Sequence, residues 1–272
     1  MENENYLTIE SFLKLPLENG TAVLERFAAL PNAVYGKGAE ALQRYVYIPG
    51  TRKDRVVLVA HVDTVWDAAY EKPYAGEHEI RFAEGVFSSG TPQVGIGADD
   101  RAGCAMLWAL RDCGHSILLL DGEEHGKHGA RYLWQSDPRL FRELNKHRFM
   151  IELDWMGTNG CLYNQVENTQ KFKQYIETVL KFSDSKHKGG TDLQILCKSV
   201  CGVNIGIGYH GWHSEKETLI LSEWENTLSA LQTFLCAPQK KFPTIRFSPQ
   251  KRFIKRVVKK LLRILHITKI HL

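Results

Sequence analysis

Nowhere in this chain does an apolar run reach the roughly 18 residues that a membrane-spanning helix needs. Met1 to Glu10 is polar and acidic, so no secretory leader is expected, and the composition reads as that of a cytoplasmic protein, peripheral to a membrane at most. Cysteine is sparse and unpatterned. Cys104, Cys113, Cys161, Cys197, Cys201 and Cys236 form neither a CxxC pair nor a disulfide framework, which suits reduced thiols. There is no internal repeat. Acidic residues are missing from Pro238 onward, where eleven Lys or Arg stand unopposed. The net charge of +4 therefore hides a body, residues 1–237, that holds 24 bases against 31 acids and sums to −7.

That acid-free segment divides in two. Residues 238–250 read as a linker. In residues 251–272, Ile254, Val257, Val258, Leu261, Leu262 and Leu265 recur at helical spacing, with Lys255, Arg256, Lys259, Lys260 and Arg263 on the other face. A basic amphipathic helix is expected there. An anionic membrane surface suits both faces, whereas nucleic acid would leave the apolar stripe nothing to bury against. Docking on the protein's own surface or on a second subunit is the plainer alternative.

The 272 residues, 43% of them hydrophobic, can bury one large core. Val56 to Val62 is a continuous apolar run of strand length, and Ile117 to Leu120, Phe149 to Leu153 and Val203 to Ile207 read likewise. Helices are expected over Asp100 to Arg111, Gly129 to Gln135, Thr169 to Phe182 and Ser222 to Leu235. This alternation predicts an α/β fold, a mostly parallel sheet with helices on both faces. Trp66 to Gly97 reads as a hairpin excursion, with strands near Glu79 to Phe82 and Gly85 to Ser88.

Polar stations end the apolar runs. His61 and Asp63 follow the first, Asp99 and Asp100 stand in Gly-Ile-Gly-Ala-Asp-Asp, Glu123 and Glu124 follow the second, Asp154 the third and His213 the last. Strand ends of an open sheet share one edge, so such groups converge on one crevice. In His61-Val-Asp63 the carboxylate can hold the second N–H of a ligating imidazole, while the plain reading is a polar loop. Asp99-Asp100 reads equally as an acidic helix start, or as a carboxylate able to bridge two cations. Glu123 and Glu124 repel each other unless solvated. With metals present, one ligates and the other serves as general base. His210 competes with His213 for the ligand place. Asp192 is read as a substrate contact or as a helix cap.

The series His61-x-Asp63, Gly-Ala-Asp99-Asp100-Arg-Ala-Gly, Asp121-Gly-Glu123-Glu124-His-Gly, Asp154, Gly189-Gly190-Thr191-Asp192 and His213-x-x-x-Glu217 resembles the co-catalytic zinc exopeptidase clan of aminopeptidases, tripeptidases, carboxypeptidases and deacylases. The resemblance implies a zinc-exopeptidase-like (phosphorylase/hydrolase-like) sheet, with residues 1–237 as catalytic domain. It also implies two Zn²⁺ ions, Co²⁺ or Mn²⁺ being possible substitutes. Asp99 would bridge the ions, commonly with a cis peptide to the next residue. His61 and Asp154 would complete one ion, Glu124 and His213 the other, with Glu123 as base and Asp63 orienting His61. Only 58 residues separate Asp154 from His213, too few for an inserted lid domain. The expected substrate is a peptide or acylated amino acid, with an aminopeptidase favoured over a deacylase or carboxypeptidase. An inactive binding relative working through its tail is the alternative from another class, against which an intact Glu123 argues.

Overall fold

The computed structural model describes residues 4–71, 73–163 and 166–245. The expected basic helix over 251–272, its membrane surface, and the end of the linker fall outside the described residues. Two helices that the apolar pattern did not announce open the chain, α1 (Glu4–Leu13) and α2 (Thr21–Ala28). An edge pair follows, β1 (Val34–Lys37) and β2 (Arg44–Ile48), and then the fully buried β3 (Val57–His61). The expected hairpin is β4 (Ile80–Ala83) and β5 (Val86–Ser89). Next come α3 (Ala98–Ala109), β6 (Ser116–Leu120), α4 (His128–Ser136) and α5 (Pro138–Leu144). The start of α5 is set locally. Asp137 accepts the Leu140 N–H, and Pro138 fills the first helical position, where an amide would be unpaired anyway.

The second half holds β7 (Met150–Trp155), β8 (Gly160–Leu162), α6 (Gln170–Leu180) capped by Thr169, and β9 (Ser183–Asp184). It ends with α7 (Leu193–Leu196), β10 (Gly202–Gly206), β11 (Tyr209–His210), β12 (Thr218–Ile220) and α8 (Leu221–Cys236). None of the helices among the described residues is long and apolar enough to cross a membrane.

The main sheet runs β1-β2-β6-β3-β7-β10-β8-β9, and its centre, β6, β3, β7 and β10, is parallel. The two-residue period of a strand divides its side chains between two cores. Leu58, Ala60, Ile117, Leu119, Ile151 and Leu153 pack with α1, α2, α3, α6 and α8. Val57, Val59, Leu118, Leu120 and Met150 pack with α4, α5 and α7. Both faces are thus covered, as the unbroken apolar runs predict. The hairpin does more than connect. With β12 and β11 it forms a second, antiparallel sheet, β11-β12-β5-β4, which brings the loop after β11 over the carboxyl ends of the main strands.

Residues 238–245, the first part of the expected linker, are a strap tied to the body. Gln239 N–H donates to Asp54 at 2.8 Å, Cys201 N–H to the Phe242 carbonyl at 2.9 Å, and Phe242 N–H to the Arg148 carbonyl at 3.1 Å.

Trp224 of α8 is fully buried and donates its indole N–H to the Ala102 carbonyl at 3.0 Å, locking α8 to α3. Trp224→Ala is expected to lower stability by about 3–5 kcal/mol, the usual cost of so large a cavity, read as a reduced urea midpoint.

Candidate metal centre

Because β3, β6 and β7 are parallel, their carboxyl ends lie side by side. His61 is the last residue of β3, Glu123 and Glu124 follow β6, and Asp154 sits near the end of β7. The Asp99-Asp100 peptide is cis, and at both residues the backbone leaves helical values before α3 becomes regular. Gly103 allows this start to pack closely. A Cβ there would strike the Leu153 carbonyl and the Asp100 carboxylate.

The five expected ligands meet around Asp99. Its Oδ1 lies 3.1 Å from His61 Nε2, which is also 3.1 Å from Asp154 Oδ1. Its Oδ2 lies 3.3 Å from His213 Nε2, which is 2.7 Å from Glu124 Oε1. One carboxylate therefore faces two sets of donors, one oxygen to each. Tetrahedral zinc with bonds of about 2.0–2.1 Å places its ligand atoms roughly 3.3 Å apart, so most of these separations fit an ion in each set. The donors are imidazole and carboxylate with no thiolate, which suits an open catalytic zinc site rather than a closed structural one.

Supporting groups hold His61, Asp99, Glu124 and Asp154 in place. Asp63 Oδ1 stands 3.3 Å from His61 Nδ1, and its two oxygens accept the Glu123 and Glu124 amides at 3.0 and 3.1 Å. Asp100 accepts the His61 and Gly103 amides, each at 3.0 Å. Glu217 accepts the Gly97 amide at 2.7 Å and the Asp99 amide at 2.9 Å, so the loop after β11 grips Asp99 directly. Asn204 of β10 takes the Asp154 N–H at 3.0 Å and donates to Asp154 Oδ2 at 3.1 Å. Tyr209 donates to the Asp154 carbonyl at 2.8 Å.

Two of the expected contacts are placed elsewhere. His210 pairs with Glu223 at 2.8 Å and does not line the pocket, so His213 alone of the two imidazoles reaches the centre. Asp192 is fully buried and its side chain caps no helix. Both its oxygens lack partners, as does Glu152 Oε2, while its own amide donates to Glu152 Oε1 at 3.1 Å. It does not line the pocket, although Gly189 and Gly190 do. Burial pushes the pKa of both Asp192 and Glu152 well above the carboxylate range.

The sequence reading gave no role to Asn204, Glu152 or Lys127. The first two carry a readable signal, one polar residue inside a buried run. Lys127 carries none, yet its Nζ lies 2.8 Å from Glu123 Oε1. Burial opposes the Lys127 charge, but Glu123, Asp192 and Glu152 outweigh it and hold the pKa above its ordinary value. The pocket of about 440 Å³ is lined further by Tyr70, Trp155, Met156, Lys188 and Trp212. That size is usual for a small-ligand cleft.

Burial and neighbouring Asp99 push Glu124 up to about 8 and Asp154 to about 7. For His213, burial works against the imidazolium, but Asp99 and Glu124 prevail and raise it to about 10. A metal ion must displace these protons. Binding is therefore expected to release protons and to weaken about tenfold or more as pH falls from 8 to 6. Calorimetry in buffers of different ionisation enthalpy counts the protons, and an affinity independent of pH would contradict the assignment.

The profile of peptidase family M28 matches residues 45–194. The fold is similar to that of aminopeptidase PepT from Bacillus cereus, at 14% identity, 85% coverage of this chain and 97% of that one, with a TM-score of 0.59. A tripeptidase from Staphylococcus aureus gives 14% identity, 85% and 97% coverage and a TM-score of 0.62. An aminopeptidase from the archaeon Desulfurococcus kamchatkensis gives 13%, 87% and 96%, and 0.61. Comparison with curated protein sequences gave no match.

Proposed function

The chain belongs to peptidase family M28, and on that premise we propose that this metallopeptidase is a dinuclear zinc exopeptidase that removes amino-terminal residues from peptides. The observation that carries the proposal is Asp99, whose two oxygens face His61 and Asp154 on one side and His213 and Glu124 on the other. Zinc bound in the two sets would supply an activated water at neutral pH and polarise the scissile carbonyl.

The chain's own residues do the rest. Asp63 keeps the His61 ring aimed at the centre, and Asn204 fixes the rotamer of Asp154. Glu123 stands on the pocket wall with Oε1 against Lys127, which leaves Oε2 to take the proton of the attacking water and return it to the departing amine. Trp155, Met156 and Trp212 shield the cleft and offer apolar contact to a side chain. The six cysteines are all unpaired, which supports a cytoplasmic setting as part of the proposal.

A second reading, a carboxypeptidase or deacylase of the same clan, is favoured by Lys127 and Lys188 in the wall, since an ammonium can hold a free carboxylate. Zinc-loaded protein assayed on aminoacyl anilides, N-acyl amino acids and carboxyl-terminal peptides separates the two. Release of free amino-terminal residues supports the first. Turnover confined to N-blocked substrates with a free carboxylate replaces it with the second.

Glu123→Gln is expected to retain its metal while turnover falls by about 10²- to 10⁴-fold. Metal content by elemental analysis and initial rates measured together make the test, and near-normal turnover would remove Glu123 from the base's role.

A further inference from the structure

The parallel strands have a second edge, away from the metal centre. At the amino-terminal ends of β3, β6 and β7, a cleft of about 260 Å³ is lined by Lys53, Arg55, Glu143, Lys146, His147 and Arg148. Arg55 and Arg148 stand just before β3 and β7, and Arg148 N–H donates to the Arg55 carbonyl at 3.1 Å. Two neighbouring strands thus deliver a guanidinium each to one place.

The charge there is uncompensated. Glu143 is the one acid in the lining, and it is already shared between Arg55 at 2.9 Å and Lys146 at 3.1 Å. His147 adds no charge. Its Nδ1 donates to the Glu143 carbonyl at 3.0 Å, its Nε2 meets the Ser116 hydroxyl at 2.9 Å, and burial pushes its pKa down to about 4. Four permanent cations therefore face one anion, in a body that is otherwise acidic. The strap adds Lys241, whose Nζ donates to the Lys146 carbonyl at 3.1 Å.

Arg55 is only partly engaged by the protein. Its Nη groups reach the Arg52 carbonyl at 3.2 Å and Glu143 at 2.9 Å, and its side chain stays about 30% exposed.

We infer that this cleft binds a phosphate-bearing anion. A guanidinium fork matches phosphate oxygens two at a time, and ammonium groups beside it add charge without demanding a fixed geometry. A local excess of three positive charges suits a phosphate dianion better than a single carboxylate. The phosphate belongs either to a small soluble ester or to a lipid headgroup. Six residues of extended chain, about 20 Å, separate Arg55 from His61, so the occupant does not compete with peptide for the pocket.

The test uses full-length, zinc-loaded protein at fixed ionic strength. Glycerol 3-phosphate is titrated by calorimetry, and vesicles of phosphatidylcholine with phosphatidic acid, whose headgroup is likewise a phosphate monoester, are tested by sedimentation. The comparison is the double variant Lys53→Gln/Arg148→Gln, with thermal melting as a check on folding and peptidase rate expected unchanged. Arg55→Lys keeps the charge but loses the fork, and is expected to bind the ester several-fold more weakly. Cleft-dependent binding, weakened about tenfold or more in the double variant, supports the site. If it appears with the ester, the ligand is a soluble phosphate; if it appears with vesicles alone, the ligand is a headgroup. No binding of either probe by the unaltered protein, or equal binding by the double variant, overturns the proposal.

Discussion

Carboxylates crowd the carboxyl edge of this sheet, and the loops there hold their shape because those same carboxylates accept backbone amides. Asp63 binds the turn after β6, Asp100 binds the end of β3, and Glu217 binds the start of α3. Each acid ties one loop to another. A hydrogen bond to a charged group contributes about 1.5–3 kcal/mol, whereas two unit charges 4 Å apart repel by about 4 kcal/mol at an effective dielectric constant near 20. The scaffold and the repulsion are thus of similar size. Positive charge decides the balance: His61, His213 and Lys127 supply it from the chain, and the proposed metal ions would add to it.

Much of this arrangement is written in local patterns. Four largely apolar runs mark the four parallel strands because a strand buried on both faces has no solvated face with which to alternate. Each run then ends in an acid or an imidazole, which places His61, Glu123, Glu124, Asp154 and His213 at one edge once the strands are taken as parallel. Asp99 is legible for another reason: two adjacent acids among small residues leave the backbone room to turn.

The rest depends on contacts that no local pattern encodes. β1, β2, β8 and β9 are short strands in the outer parts of the sheet, with β1 and β9 at its edges, and their residues need not be continuously apolar. His210, the last residue of β11, and His213, in the loop after it, are three residues apart and equal as letters. Glu223, in the first turn of α8, captures the first and leaves the second to the centre. Asp192 looked like a cap or a substrate contact from its glycine-rich surroundings, but the fold draws it inward beside Glu152, out of the pocket it was expected to line. Lys127 reaches Glu123 through a helix start with positive φ, a geometry that its sequence context does not announce.

The strap over residues 238–245 fixes more than a chain end. It lies across the starts of β7 and β10, with Phe242 hydrogen-bonded to both. The pocket beside the proposed metal centre lies at the other ends of the parallel strands. A surface or carrier joined to the strap would therefore hold the molecule by its back, in one orientation, with the cleft turned toward the bulk solution, so immobilisation through this segment leaves diffusion to the pocket unobstructed.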